Sequence, residues 1–346
     1  MSTRTGIIVL SSTPGMSRIQ SARRWRGLLT FLVGAAAMLA VPAARAAVVF
    51  PLYVSSGSQS IIQVSSAGVV TPYGTVTANS FPQGLAFDGP GNLYEADSNL
   101  DQISRITPGG AVSLFAALPS GSHPSGLAFD GNGNLYAADI TTNQISKITP
   151  GGAVSLFATL PANSNPRGLA FDGSGNLYAA DLGNPQISKI TSGGAVSVFA
   201  DLPASSSPFG LAFDSGGNLY VAESTLSQIV KITSGGVVSL FATLPATSVP
   251  QGLAFDASGN LYAAERNDHQ IKKISPDGLT VSLFATTVDQ TKYIAFAPIP
   301  EPSSAILLAA AGASALLRRR CRANTVRSTS LFSWPRAGMQ NIGAKR

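Results

Sequence analysis

Five carboxylates recur at a constant interval along this 346-residue chain: Asp97, Asp139, Asp181, Glu223 and Glu265, each 42 residues after the one before. Oxygen-only side chains gathered in a ring would suit a hard cation, Ca2+ or Mg2+. The same carboxylates would equally serve as local caps, each accepting N–H bonds within its own loop. A second periodic position varies instead of repeating: Gln83, Ser125, Arg167, Phe209, Gln251 and Lys292. If these six encircle one opening, Arg167 and Lys292 would engage an anionic group and Phe209 would offer an apolar wall. Proton-transfer chemistry has less to work with. The two histidines, His123 and His269, lie far apart, and there is no Gly-x-Ser-x-Gly, His-Glu-x-x-His or phosphate-cradling glycine loop. The single cysteine, Cys321, excludes a disulfide framework and a cysteine-rich zinc module.

The elements that would position these residues are visible in the repeat. Gly-Leu-Ala-Phe-Asp begins at Gly84, Gly126, Gly168, Gly210 and Gly252. Each copy holds four apolar runs, such as GLAF, NLYAA, QISKI and AVSVF between Gly168 and Ala200, bounded by Gly, Asn, Pro or Ser. Runs this short with turn punctuation are strands; Asp-x-x-Gly-Asn and Thr-Pro/Ser-Gly-Gly are tight hairpins that need glycine at positive φ. Four antiparallel strands per 42 residues match a β-propeller blade better than a parallel solenoid. The segment Leu52 to Val70 supplies strands two to four and lacks a first, whereas Tyr293 to Phe296 is a first strand without successors. Their pairing makes a sixth blade and closes the ring, removing the free edges of a linear array. The expected fold is an all-β six-bladed propeller over residues 47–298. The recurrent Phe and Tyr of strands one and two are then inter-blade packing, and Asp88, Asp130, Asp172, Asp214 and Asp256 head the first hairpins.

On Gly-Leu-Ala-Phe-Asp, Gly-Asn-Leu-Tyr and the acid that follows, the repeat resembles the NHL repeat and its gluconolactonase-like and virginiamycin B lyase-like relatives. The Asn-His-Arg element of that repeat is replaced by Asn143-Gln144, Pro185-Gln186 and Ser227-Gln228, with Asp268-His269-Gln270 nearest to it. The resemblance implies a propeller used either as a binding platform or as an enzyme. The first expectation is a binding or structural module with an unknown surface, polysaccharide or protein ligand. The alternative is a metal-dependent lactone hydrolase or lyase. A near-uniform acidic ring, without an asymmetric metal cluster, favours the first.

The charge of +6 divides by position. Residues 1–46 carry six basic groups and no acid, and residues 301–346 carry eight and one; between them stand nine basic and 16 acidic residues, a net −7. An acidic middle without a basic stripe disfavours nucleic acid. Arg23-Arg24-Trp25-Arg26, an apolar run and Ala44-Arg45-Ala46 make a signal peptide, 1–46, for signal peptidase; the stretch before Met16 is surplus to it, which points to initiation there. Residues 299–320 combine Pro300-Glu301-Pro302, a short apolar run and Arg318-Arg319-Arg320. This resembles the PEP-CTERM sorting signal, which implies an exosortase-like transpeptidase, a transient membrane contact and export from a Gram-negative cell to its periplasm, surface or matrix. The tail, 321–346, is polar and without periodicity, and is longer than such signals normally carry.

Overall fold

The computed structural model describes residues 51–57 and 59–298. The signal segment, the sorting residues Pro300, Glu301, Pro302, Arg318, Arg319 and Arg320, and the tail lie outside the described residues. Within them, 24 strands form six four-stranded antiparallel sheets. Blades 2 to 6 are consecutive meanders whose innermost strands are Pro82–Phe87, Pro124–Phe129, Pro166–Phe171, Pro208–Phe213 and Pro250–Phe255. Blade 1 joins both ends of the propeller, with Thr291–Phe296 innermost and Leu52–Ser56, Ser60–Val64 and Val70–Thr75 following outward. Val54 pairs with Ile294 across that junction. The expected closure is therefore the one observed.

Alternation along each second strand builds the core at the seams between blades. Tyr94 turns toward blade 3 and meets Phe115 and Phe129 edge to face, with ring centroids 4.8 and 5.1 Å apart. The same Tyr–Phe arrangement recurs for Tyr53, Tyr136, Tyr178, Tyr220 and Tyr262. Each contact adds about 0.5–1.5 kcal/mol to the area it buries. Each first hairpin is closed by its aspartate. Asp172 Oδ1 accepts the N–H groups of Ser174 and Asn176, and Oδ2 accepts Asn176 Nδ2 and Tyr178 Oη. Burial pushes these carboxyls up, but the four donors outweigh it and hold Asp130, Asp172 and Asp214 below the usual range.

Two bulges recur in the blades. In the outermost strand, Ser104 pairs with Leu114 but Ile103 with Ala116, and this irregularity repeats in all six blades. It kinks an edge that would otherwise template further strands. In the innermost strand, Pro82 pairs with Asp97 but Leu85 with Glu95, so Gln83 and Gly84 oppose Ala96 alone. That second bulge carries the functional argument.

Candidate functional site at one mouth of the channel

The six variable residues occupy the bulge of each innermost strand, beside a glycine in five blades. A Cβ on Gly84, Gly126, Gly168, Gly210 or Gly252 would fall 2.0–2.7 Å from a carbonyl oxygen of the next innermost strand. The five glycines thus let neighbouring backbones touch around the axis, and the bulge re-aims the preceding side chain. Gln83, Ser125, Gln251 and Lys292 are buried there; Arg167 and Phe209 are half-buried. Arg167 lies over Phe209, its Cζ 5.2 Å from the ring centroid. Lys292 Nζ lies over Phe81 at 3.1 Å and donates to the Pro82 carbonyl at 3.4 Å. Phe209 thus serves Arg167, and Lys292 turns to blade 2.

Blade 1 breaks the glycine rule with Tyr293. Its phenol reaches blade 3, where Oη and Ser125 Oγ stand 2.8 Å apart. Tyr293 lines a cavity of about 130 Å3 together with Gly126, Gly168 and Gly210 and with Leu85, Leu127, Leu169, Leu211, Leu253 and Ile294. Tyr293 therefore lies within the channel and links two blades across it. Tyr293→Phe is expected to cost about 1–2 kcal/mol, because it strands the buried Ser125 hydroxyl. Urea unfolding of the two proteins side by side checks this; equal midpoints would contradict the bond.

The five periodic carboxylates end the second strands and are almost fully buried. Each is engaged locally. Asp97 Oδ1 accepts the N–H groups of Phe81, Asn99 and Leu100. Asp139 and Asp181 accept the hydroxyls of Ser146 and Ser188 on the third strand, both at 2.6 Å. Glu223 and Glu265 are one methylene longer and reach back to Ser206 and Ser248 in the preceding loop, both at 2.8 Å. In those two blades the third-strand serine is replaced by Val230 or Lys272, and Lys272 pairs with Glu265 at 3.8 Å. Among the described residues no three His, Cys, Asp or Glu side chains form a group able to hold a metal ion. The ring anticipated for Ca2+ or Mg2+ is thus five separate carboxylates, each engaged within its own blade. Burial pushes Asp139 up to about 7 and Asp181 to about 6, with their serine partners opposing.

One acid escaped the periodic reading. Glu95 stands where the other copies have Ala137, Ala179, Val221 and Ala263, and it is wholly buried. Burial and then the neighbouring Asp97 push it up to about 8, while Ser104 and Lys292 pull it down. Its signal was the departure of Leu-Tyr-Glu-Ala from Leu-Tyr-Ala-Ala. The histidines sit in turns. His269 has a positive φ of 52°, as do its counterparts Asp101, Asn143 and Ser227 at 48–55°. Asp101 caps the loop of His123, accepting its N–H at 2.7 Å, and His123 Nδ1 lies 2.8 Å from the Ser98 carbonyl oxygen.

Six meander blades, a closing strand from the other end and variety concentrated at one mouth define a six-bladed β-propeller with a uniform scaffold and an individual face. The profile of the virginiamycin B lyase family matches residues 34–274, and the chain belongs to that family. No curated protein matches the sequence. Among solved structures it is similar to a catalytically inactive histidine-to-alanine variant of virginiamycin B lyase from Staphylococcus aureus with quinupristin. That likeness has 20% identity, covers 70% of this chain and 87% of the other, and has a TM-score of 0.57. A chain of the nidogen–laminin complex is similar at 18% identity over 73% and 99%, TM-score 0.63. So is a putative gluconolactonase at 16% over 62% and 81%, TM-score 0.53. These likenesses extend to the fold.

Proposed function

We propose that this protein is an exported binding propeller that holds its ligand at the channel mouth, at the cell surface or in the extracellular matrix. The carrying observation is the contrast between the two rings. The repeated carboxylates are each engaged inside their own blade, whereas Gln83, Ser125, Arg167, Phe209, Gln251 and Lys292 present six settings over one scaffold. A central, asymmetric face on a rigid frame suits recognition. Export rests on the signal segment 1–46 for signal peptidase and on residues 299–320 for an exosortase-like transpeptidase.

Family membership favours a second reading, a lyase or lactone hydrolase acting near His123 or His269. The test separates the two. Purified propeller is assayed on a streptogramin and on sugar lactones, with and without Mg2+ or Ca2+. The binding reading expects no turnover above buffer; turnover abolished by His123→Ala or His269→Ala would replace it with the enzyme. Fractionation of the native host with an antibody to the propeller tests export, and retention of full-length chain in the cytoplasm would overturn it.

A further inference from the structure

The mouth holds a third cation that the repeat did not announce. Arg266 follows the second strand of blade 6, at the position of Ser98, Ile140, Leu182 and Ser224 in the other copies. Its backbone N–H donates to the Val249 carbonyl at 3.1 Å, and its Nε donates to Gln290 Oε1 at 3.0 Å. These bonds fix the base of the guanidinium. Arg167 comes from the bulge of blade 4, and its Cζ lies over the Phe209 ring of blade 5, 5.2 Å from the centroid. Its Nε is buried and has no hydrogen-bond partner. Among the described residues neither arginine is in an ion pair, since the two pairs found there are Lys231–Asp214 and Lys272–Glu265. Lys292 adds a third positive charge, turned to Phe81 and balanced in part by Glu95.

Like charges in a half-buried site repel, and burial alone already disfavours them. Burial lowers the proton affinity of Arg167, against the opposing effect of Tyr293, and the Arg266 charge lowers it further. Burial brings Lys292 down to about 8, with Arg266 again adding to the effect. The arrangement is costly as it stands and is relieved by an anion. A guanidinium fork takes two oxygens of one group, which a lone ammonium cannot do.

We infer that Arg167 and Arg266 form an oxyanion-binding subsite of the mouth, with Phe209 as its apolar floor and Lys292 contributing field without contact. The ligand it would take bears a carboxylate, sulfate or phosphate group beside a less polar body. This deepens the binding reading above and rests on it.

The experiment is calorimetric titration of the purified propeller with glucuronate, glucose, inorganic sulfate and inorganic phosphate. Glucuronate and at least one inorganic anion are expected to bind saturably, and glucose is not. Arg167→Gln and Arg266→Gln are each expected to weaken binding by about tenfold or more. Thermal unfolding of both variants in anion-free buffer confirms that they fold, and Arg105→Gln, on the third strand of blade 2, is expected to bind as wild type. Glucose binding as well as glucuronate, or folded arginine variants binding as well as wild type, would overturn the subsite. So would the absence of saturable binding of every anion. Those results leave the broader binding reading standing, because it fails on turnover and not on anions.

Discussion

Gly210→Ala is expected to destabilise the propeller by about 3 kcal/mol or more, and in the limit to prevent ring closure. The added Cβ would lie 2.0 Å from the Gln251 carbonyl oxygen and 3.0 Å from the Leu253 nitrogen. Both are backbone atoms of the next innermost strand, so no side chain can turn aside. Relief requires blades 5 and 6 to part, which opens a Tyr–Phe seam that neighbouring seams hold in place. Gly173→Ala is the matched control. It lies in the first hairpin of blade 4, without a positive φ, and a Cβ there meets nothing within 4 Å. Its effect is expected within about 0.5 kcal/mol of zero. Urea unfolding of both variants decides the matter. A Gly210→Ala protein as stable as the control would mean that the innermost strands do not touch.

The second large effect is a fall in stability as pH rises from about 4 to about 8. Glu95, Asp139 and Asp181 are held at about 8, 7 and 6, against ordinary values of 4.5, 3.8 and 3.8, with burial as the leading cause. The folded protein therefore keeps these protons more tightly than the unfolded chain. Their contribution is fully present below the unfolded values and is lost as pH climbs through the folded ones. For Asp139 alone the change is on the order of 2–4 kcal/mol. Asp130, Asp172 and Asp214 act in the opposite sense, being held below 3.8, so stability also falls in stronger acid. An optimum at about pH 4 follows. Lys292, brought down from 10.5 to about 8, changes stability only at more alkaline pH. Asp139→Asn combined with Asp181→Asn is expected to flatten the decline, since an amide can still accept from Ser146 and Ser188 and carries no proton to lose. Urea unfolding at about pH 5 and about pH 8 measures both proteins. Wild-type stability that is flat or rising over that interval would show these carboxyls to be hydrated and ordinary.

Much of the frame was legible because a propeller repeats its physics. Gly84 and its copies, the hairpin aspartates and the Tyr–Phe pairs recur since each blade must solve the same seam, and recurrence is visible in one dimension. The incomplete units at Leu52 and Tyr293 even disclosed the closure. The site was legible in part. The bulge residues could be picked out as the positions where copies disagree, and the structure sets each in the bulge of an innermost strand. Glu95, Arg266 and Tyr293 were missed for one reason: each is a single departure inside an otherwise regular stretch, and its meaning depends on which other blade it faces.

The sequence by itself thus determined the number of blades, their strands, their closure and the two rings of candidate residues, all consequences of local pattern repeated 42 residues apart. Tertiary structure alone decided what those rings do. It engaged each carboxylate with its own serine, amide or lysine, because a side chain only four or five bonds long binds what its own blade offers before it can reach the axis. It also carried Tyr293 across the channel to Ser125, between residues 168 positions apart in the chain. Such meetings are set by curvature of the closed ring, which no period along the chain records.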